Sequence, residues 1–226
     1  CDCLCCMTTS TENLHFVPKS RWTADEAWVG TRRPVHEAHA LPADCYVDES
    51  FYADEQEQVF ATSWVCVGLH DELDAPGSAI VRTVAGRSVI LTRNANGHLR
   101  GFMNACRHRG TQLLEDDCTL GSTIRCPYHR WGYDRDGVLM ATPQFAEAGV
   151  DGFDPSDYGL HPVRVDTWQF LLVVCLSDQT PPVHEWFGDL GNRLDGYRLT
   201  DWRSHLTQDI EIESNWKLIS ENFQEY

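Results

Sequence analysis

The rhythm of apolar and polar positions changes several times along the chain, and each change predicts a different kind of structure. Residues 1–42 mix polar side chains with Trp22, Trp28, Pro18 and Pro34 without any period, which predicts an irregular arm. Residues 50–62 predict a helix: Phe51, Val59 and Phe60 supply part of an apolar face, and Ser50 is the expected N-cap. From Trp64 the texture turns to short β-branched and apolar runs between turn signals. Trp64–Leu69, Ser78–Val84, Arg87–Arg93 and His98–Met103 are strand candidates. Asn96-Gly97 signals a tight hairpin, and Asp136-Gly137 signals another between Trp131–Asp134 and Val138–Met140. His161–Val165 and Gln169–Leu176 continue the series, the second apolar enough to be buried on both faces. Strands at this spacing predict a small all-β domain.

After Ser177 the pattern changes again. Pro181-Pro182 marks a connection, residues 183–198 are moderately helical despite Gly188, Gly191 and Gly196, and residues 203–213 alternate like a strand. Asn215–Tyr226 reads as the opening of a helix, with Trp216, Ile219 and Phe223 at three- and four-residue spacing. The expected organisation is an arm over residues 1–44, a β domain over 45–178, and the opening of a second domain over 179–226 that is cut off.

Charge and cysteine usage narrow the chemistry. Eighteen basic against thirty-four acidic residues give a net charge of −16, a field that argues against nucleic-acid and membrane-surface partners. The longest apolar run, Phe170–Leu176, is far shorter than the roughly 18 residues of a membrane span. Arg32-Arg33 resembles a twin-arginine export signal, but the Pro-Val-His-Glu that follows is no apolar segment, and a cytoplasmic, reducing location is expected. In such a compartment metal-binding or catalytic cysteines outrank disulfides. Of the ten cysteines, Cys1, Cys3, Cys5 and Cys6 crowd together before Met7 and read as a non-native or unstructured leader.

The informative segment is Asn104-Ala-Cys-Arg-His-Arg-Gly110 followed by Cys126-Pro-Tyr-His-Arg-Trp131. It delivers Cys106 and His108 from one loop and Cys126 and His129 from another. A tetrahedral Cys₂His₂ zinc site is one reading. Zinc motifs usually pair cysteine with cysteine, however, whereas each loop here brings one thiolate and one imidazole. That mixture suits a two-iron cluster with both thiolates on one iron and both imidazoles on the other. Tyr128 and Trp131 are either a shield for such a cluster or plain core. Cys118, between the loops, reads as a buried thiol or a loop residue, and His15, His36, His39, His70, His98, His161, His184 and His205 are assigned no role.

These two loops resemble the Rieske [2Fe–2S] site of the Rieske non-haem iron oxygenases, in Asn104, Arg107–Gly110, Pro127, Tyr128 and Trp131 as well as in the four ligands. Arg130 stands where many relatives carry a small residue. Respiratory Rieske proteins carry two further cysteines that tie the loops by a disulfide; here those positions are Thr111 and Tyr128. The fold implied is α+β and mostly β: a Rieske-type all-β [2Fe–2S] domain followed by the truncated start of a helix-grip (START-like) catalytic domain.

A second resemblance lies in Asn215-Trp-Lys217 and Glu221-Asn-Phe-Gln-Glu225, which are similar to the opening of the oxygenase catalytic domain. There two histidines and a later carboxylate hold a mononuclear Fe(II) that activates O₂. The resemblance places the first of those histidines three residues past Glu225, and the sequence ends at Tyr226. It makes Glu225 the candidate carboxylate that carries an electron between a cluster histidine of one subunit and an iron-bound histidine of its neighbour, and Asn222 a residue near that iron. It implies the large (α) subunit of a mono- or dioxygenase, drawing electrons from NAD(P)H through a reductase, sometimes through a ferredoxin. The substrate would be an aromatic ring or an N-methyl or quaternary ammonium compound; glutamate rather than aspartate at position 225 leans toward the latter. Relatives form homo-oligomers, trimers joined through that bridge, with or without a β subunit. The rival readings are a stand-alone Rieske electron carrier and a zinc-stabilised module without redox activity.

Overall fold

The computed structural model describes residue 22 and residues 24–143, 145, 148–208 and 210–224, so the leader cysteines and Glu225 lie outside the described residues. The chain divides into two compact units, one ending at Asp54 and the other beginning at Glu55. No described helix is long and apolar enough to cross a membrane.

In the first unit the aromatic residues of the arm form a small core of their own. Trp22, Cys45 and Phe51 are buried together, with Trp28, Leu41 and Tyr46 packed against them. Trp22 meets Phe51 edge-on at 5.1 Å, and the Trp28 indole N–H donates to the Trp22 carbonyl at 2.9 Å. Aromatic burial gives order to a segment whose polar pattern has no period. Two short helices follow, α1 (Asp44–Val47) and α2 (Glu49–Glu55). The cap of α2 is Asp48, not Ser50: its Oδ1 accepts from the backbone N–H groups of Ser50 and Phe51 at 2.8 and 3.2 Å and from the Ser50 hydroxyl. A carboxylate serves the helix N-terminus as well as a hydroxyl does and also meets its positive dipole end.

The second unit opens with a wide helical turn, Gln56–Phe60, and then becomes antiparallel sheet. Its strands are β1 (Val65–Leu69), β2 (Ser78–Val84), β3 (Arg87–Arg93), β4 (Leu99–Met103), β5 (Cys118–Thr119), β6 (Ile124–Arg125), β7 (Gly132–Tyr133), β8 (Leu139–Ala141), β9 (Pro162–Trp168) and β10 (Leu171–Cys175). Seven of them form one sheet in the order β1-β10-β9-β4-β3-β2-β5, and β6-β7-β8 form a second. Alternate residues of the larger sheet, among them Ile80, Val89, Leu91, Leu172 and Val174, meet in one core. Leu172–Cys175 are all buried, as the unbroken apolar run predicts.

Both signalled hairpins form, and one side-chain network joins them. Asn94 Oδ1 accepts from the N–H groups of Asn96 and His98, so His98 belongs to the turn and its strand begins at Leu99. Asp134 Oδ1 does the same for Asp136 and Val138. Asn94 Nδ2 then donates to Asp136 Oδ1 at 2.8 Å, and Arg100 Nε donates to the same oxygen at 2.7 Å. These bonds, the Asn94 amide first, hold the Asp136 carboxyl below its ordinary value. Gly137 cannot be replaced here: its φ is +83°, and an added Cβ would lie 2.5 Å from the Phe102 ring.

The segment after β10 differs from its sequence pattern in two ways. Residues 183–198 are helical only in pieces, α3 (Val183–Trp186) and α4 (Leu190–Leu194), separated by Gly188 at φ +52°. Residues 203–213 contain no strand among the described residues, and Leu206, Ile210 and Ile212 are exposed. Alternation specifies a face, whereas a strand also needs a neighbour for its N–H and C=O groups. The last helix, α5 (Trp216–Gln224), forms as expected, with the Asn215 side chain accepting from the Lys217 N–H at 3.0 Å. Its buried side is centred on Lys217, while Trp216 and Phe223 of the apolar stripe are exposed.

Candidate metal centre

Two loops built on one plan hold the candidate residues. The first leaves the end of β4 and the second joins β6 to β7. In the first, the Cys106 N–H donates to the Thr111 carbonyl at 2.8 Å and the Gly110 N–H donates back to the Cys106 carbonyl at 2.8 Å. In the second, the Cys126 N–H donates to the Trp131 carbonyl at 2.8 Å and the Arg130 N–H to the Cys126 carbonyl at 3.1 Å. The residue four after each cysteine is left-handed: Gly110 at φ +70° and Arg130 at φ +63°.

The loops bring thiol to thiol and imidazole to imidazole. Cys106 and Cys126 are each 2% exposed, and the Cys106 thiol is pushed up by burial, lowered by its Tyr133 bond and raised further by contact with Cys126. His108 and His129 meet edge-to-face at 4.7 Å. Their Nδ1 atoms are both buried without a hydrogen-bond partner among the described residues. A buried ring nitrogen without a partner costs free energy unless a metal satisfies it. Burial first, then His129 and Arg109, pull the His108 imidazole below its ordinary value, which favours the neutral form that binds metal. Among the described residues no three His, Cys, Asp or Glu side chains gather around a single point closely enough to hold one metal ion. A two-iron cluster asks only two protein donors of each iron, one pair sulfur and the other nitrogen, and the four residues could hold it in that way.

A second group of residues fixes this set. Trp131, 2% exposed, lies flat on His108 with ring centres 4.8 Å apart and planes within 7°. Phe145 stands edge-on to both rings at 6.1 and 5.6 Å, and Phe153 and Tyr158 each lie 5.9 Å from Trp131. Trp131 is thus a core residue, and one that also covers a face of His108. Tyr128 is no core residue: it is 60% exposed and its ring lies 3.7 Å from that of His129. Tyr133, fully buried, accepts from the Arg107 N–H at 3.0 Å and lies 3.3 Å from Cys106 Sγ. Burial pushes its hydroxyl strongly up, and with its oxygen taken by Arg107 the proton is left for the sulfur. Asn104, 4% exposed, closes the first loop: its Oδ1 accepts from Leu113 and Leu114 N–H, and its Nδ2 donates to Ser88 Oγ and the Leu114 carbonyl. With Thr111 and Tyr128 in place of the paired cysteines, Asn104 and Tyr133 hold the loops by hydrogen bonds.

Other sequence candidates fall elsewhere. Cys118 is neither buried nor in a loop; it is exposed on β5, paired with Ala79 of β2. Asn222 is exposed on α5, and no hydrogen bond or ring contact among the described residues joins it to the four donors. His161, assigned no role from sequence, takes the Arg107 guanidinium at 2.5 Å from Nε2. Phe145, Phe153 and Tyr158 carry no periodic signal. Tyr133 stands seven residues after Cys126, in a strand too short to show alternation.

Comparison with known proteins agrees with this geometry. The sequence matches the Rieske [2Fe–2S] domain family over residues 63–166. It is 33% identical over 187 residues to the glycine betaine monooxygenase oxygenase subunit of Chromohalobacter salexigens, covering 83% of this chain and 41% of that one. To the carnitine monooxygenase oxygenase subunit of Escherichia coli strain K12 it is 32% identical over 191 residues, covering 84% of this chain and 50% of the relative. The solved structure of the apo form of a quaternary ammonium Rieske monooxygenase, CntA, superposes with a TM-score of 0.77 at 28% identity, over 82% of this chain and 54% of that one. The chain therefore spans about half the length of the relatives it matches. Residues 63–166 are a Rieske [2Fe–2S] domain, and the chain that carries it is homologous to the oxygenase subunits of Rieske-type monooxygenases.

Proposed function

We propose that this chain is the N-terminal part of a Rieske oxygenase α subunit, with Cys106 and Cys126 on one iron of a [2Fe–2S] cluster and His108 and His129 on the other. The observation that carries the reading is the sorting of the four side chains into a buried thiol pair and an imidazole pair whose Nδ1 atoms lack partners. When bound, such a cluster passes single electrons, at a potential raised by the two neutral ligands. The chain's own residues do the rest. Trp131 and Phe145 keep water from His108, Tyr133 donates to the Cys106 sulfur, and Tyr128 covers the outer face of His129.

In this reading residues 179–226 open a helix-grip catalytic domain whose mononuclear Fe(II) activates O₂. Glu225 is the carboxylate that links a cluster histidine to that iron in a neighbouring subunit, and Asn222 lies near it. Electrons come from NAD(P)H through a reductase, with or without a ferredoxin, to a cytoplasmic homo-oligomer with or without a β subunit. The substrate class that the glycine betaine and carnitine enzymes favour is a quaternary ammonium or N-methyl compound, ahead of an aromatic ring.

The purified chain is expected to be red-brown and, after reduction, to give the EPR signal of a mixed-ligand [2Fe–2S] cluster. Cys106→Ser or His108→Ala should abolish that signal, and Cys118→Ser should leave it unchanged. A colourless protein carrying one zinc ion, or loss of the signal in Cys118→Ser, would overturn the reading. Hydrogen bonds to cluster sulfur set part of the potential, so Tyr133→Phe should lower it, and should cost about 1 kcal/mol of stability for the lost bonds. Protein-film voltammetry measures the potential; an unchanged value would remove the hydroxyl from that role.

A further inference from the structure

We infer that Glu55 and Lys217 are positioning residues: together they set the rotation of α5 about its own axis, and with it the place of Asn222. The inference rests on the oxygenase reading above, in which α5 presents Asn222 and leads into Glu225, and it adds what aims that helix.

Apolar packing does not aim it. Leu218 and Phe223 are exposed, Ile219 is half-buried, and Lys217 alone is buried among the described residues of α5. Apolar contact has no direction, so a buried apolar face this small would let a short helix roll. Hydrogen bonds do have direction. Both oxygens of Glu55 accept from Lys217 Nζ at 2.8 Å, and Oε2 also accepts from the Trp216 indole at 3.3 Å. Trp216 and Lys217 are neighbours in sequence, so they leave the helix about 100° apart around its axis. One anchor acts as a pivot; two anchors at that angle on a single carboxylate stop the roll.

The receiving segment is shaped to match. Glu55 stands directly before the wide turn Gln56–Phe60, and Phe60 ends it. The Phe60 ring meets that of Trp216 edge-on at 5.2 Å, so both ends of the turn touch the same indole. In an α-helix, residues five apart point about 140° away from each other. Here the Ala61 N–H donates to the Gln56 carbonyl at 2.9 Å, five residues back rather than four. This wider winding draws residues five apart toward one side, and turns of its kind gather at functional sites. Stability alone does not call for the charges, since a well-packed apolar pair serves about as well. What the pair adds is direction. Side-chain atoms lie about 5 Å from a helix axis, so a roll of about 30° carries Asn222 about 3 Å from its place.

A distance measurement on the full chain tests this. A nitroxide is attached through p-acetylphenylalanine in place of Phe223, which leaves the cysteines untouched. Its dipolar coupling to the reduced cluster is then read by pulsed EPR. The unaltered chain should give one narrow distance. Glu55→Leu with Lys217→Met should keep the cluster signal and most of the stability, yet spread the distance to about twice the width as α5 rolls. Trp216→Phe, which removes one anchor and keeps a ring against Phe60, should spread it too. A distribution of unaltered width in either variant overturns the proposal, as does a broad one in the unaltered chain. Should the double variant fail to fold, Trp216→Phe decides alone. An EPR spectrum of the unlabelled, reduced chain separates the two failures. Unaltered widths in a chain that carries the cluster end the positioning role and leave the oxygenase reading standing. A chain without the cluster sinks that reading, and this proposal with it.

Discussion

Replacing Lys217 with methionine is expected to destabilise the chain by about 3–5 kcal/mol, because it leaves a carboxylate buried without its charge partner. Lys217 Nζ donates to both oxygens of Glu55 at 2.8 Å, and both side chains are only 8% exposed. The Trp216 indole N–H adds a third bond to Glu55 at 3.3 Å. A buried pair of this kind contributes little against an apolar pair of the same size, since desolvation offsets most of the attraction. Its loss by halves is what costs. Glu55→Leu combined with Lys217→Met should therefore recover most of the lost stability. Urea unfolding of the two single variants and the double gives the coupling directly. A double variant no more stable than Lys217→Met would show that the pair is not the origin of the loss.

Asn104→Ala is the other large expected effect, about 3 kcal/mol, from buried groups left without partners at roughly 1–3 kcal/mol each, less what water repairs. The amide serves two N–H donors and two acceptors at once, across a loop that starts at the end of β4 and turns through Cys106 and His108. Loosening it moves two of the proposed ligands together. Iron bound per chain should therefore fall along with the melting temperature. Full iron content with a melting temperature unchanged would show that the loop closes by other means.

Much of this was legible because chemistry and turns leave local marks. C-x-H and C-x-x-H name the four candidate ligands without reference to the fold, and Asn96-Gly97 and Asp136-Gly137 locate two hairpins because so few residues accept those backbone angles. The turn between β9 and β10 carries no such mark. It is made by Gln169 at φ +56° and Phe170, which only the register of the flanking strands imposes. The aromatic wall of Phe145, Phe153 and Tyr158 comes from a loop without period, and its members share a site only through tertiary packing. Lys217 is the sharpest departure. The stripe Trp216–Ile219–Phe223 pointed the helix one way, but an ion pair with a residue 162 positions away turned it another. No pattern within α5 encodes a partner in that distant a segment.

The parallel stack of Trp131 on His108 has a consequence for speed. In the proposed cluster each electron would change the charge of the site by one, and loosely held groups turn to follow such a change, which adds to the barrier. Here the imidazole is faced by a buried indole whose other neighbours are Phe145, Phe153 and Tyr158, packed at contact distance. Close-packed rings cannot reorient without disturbing one another. Such packing would hold the His108 ring in one attitude before and after an electron passed through a bound cluster. At this imidazole the protein would then add little reorganisation to the transfer.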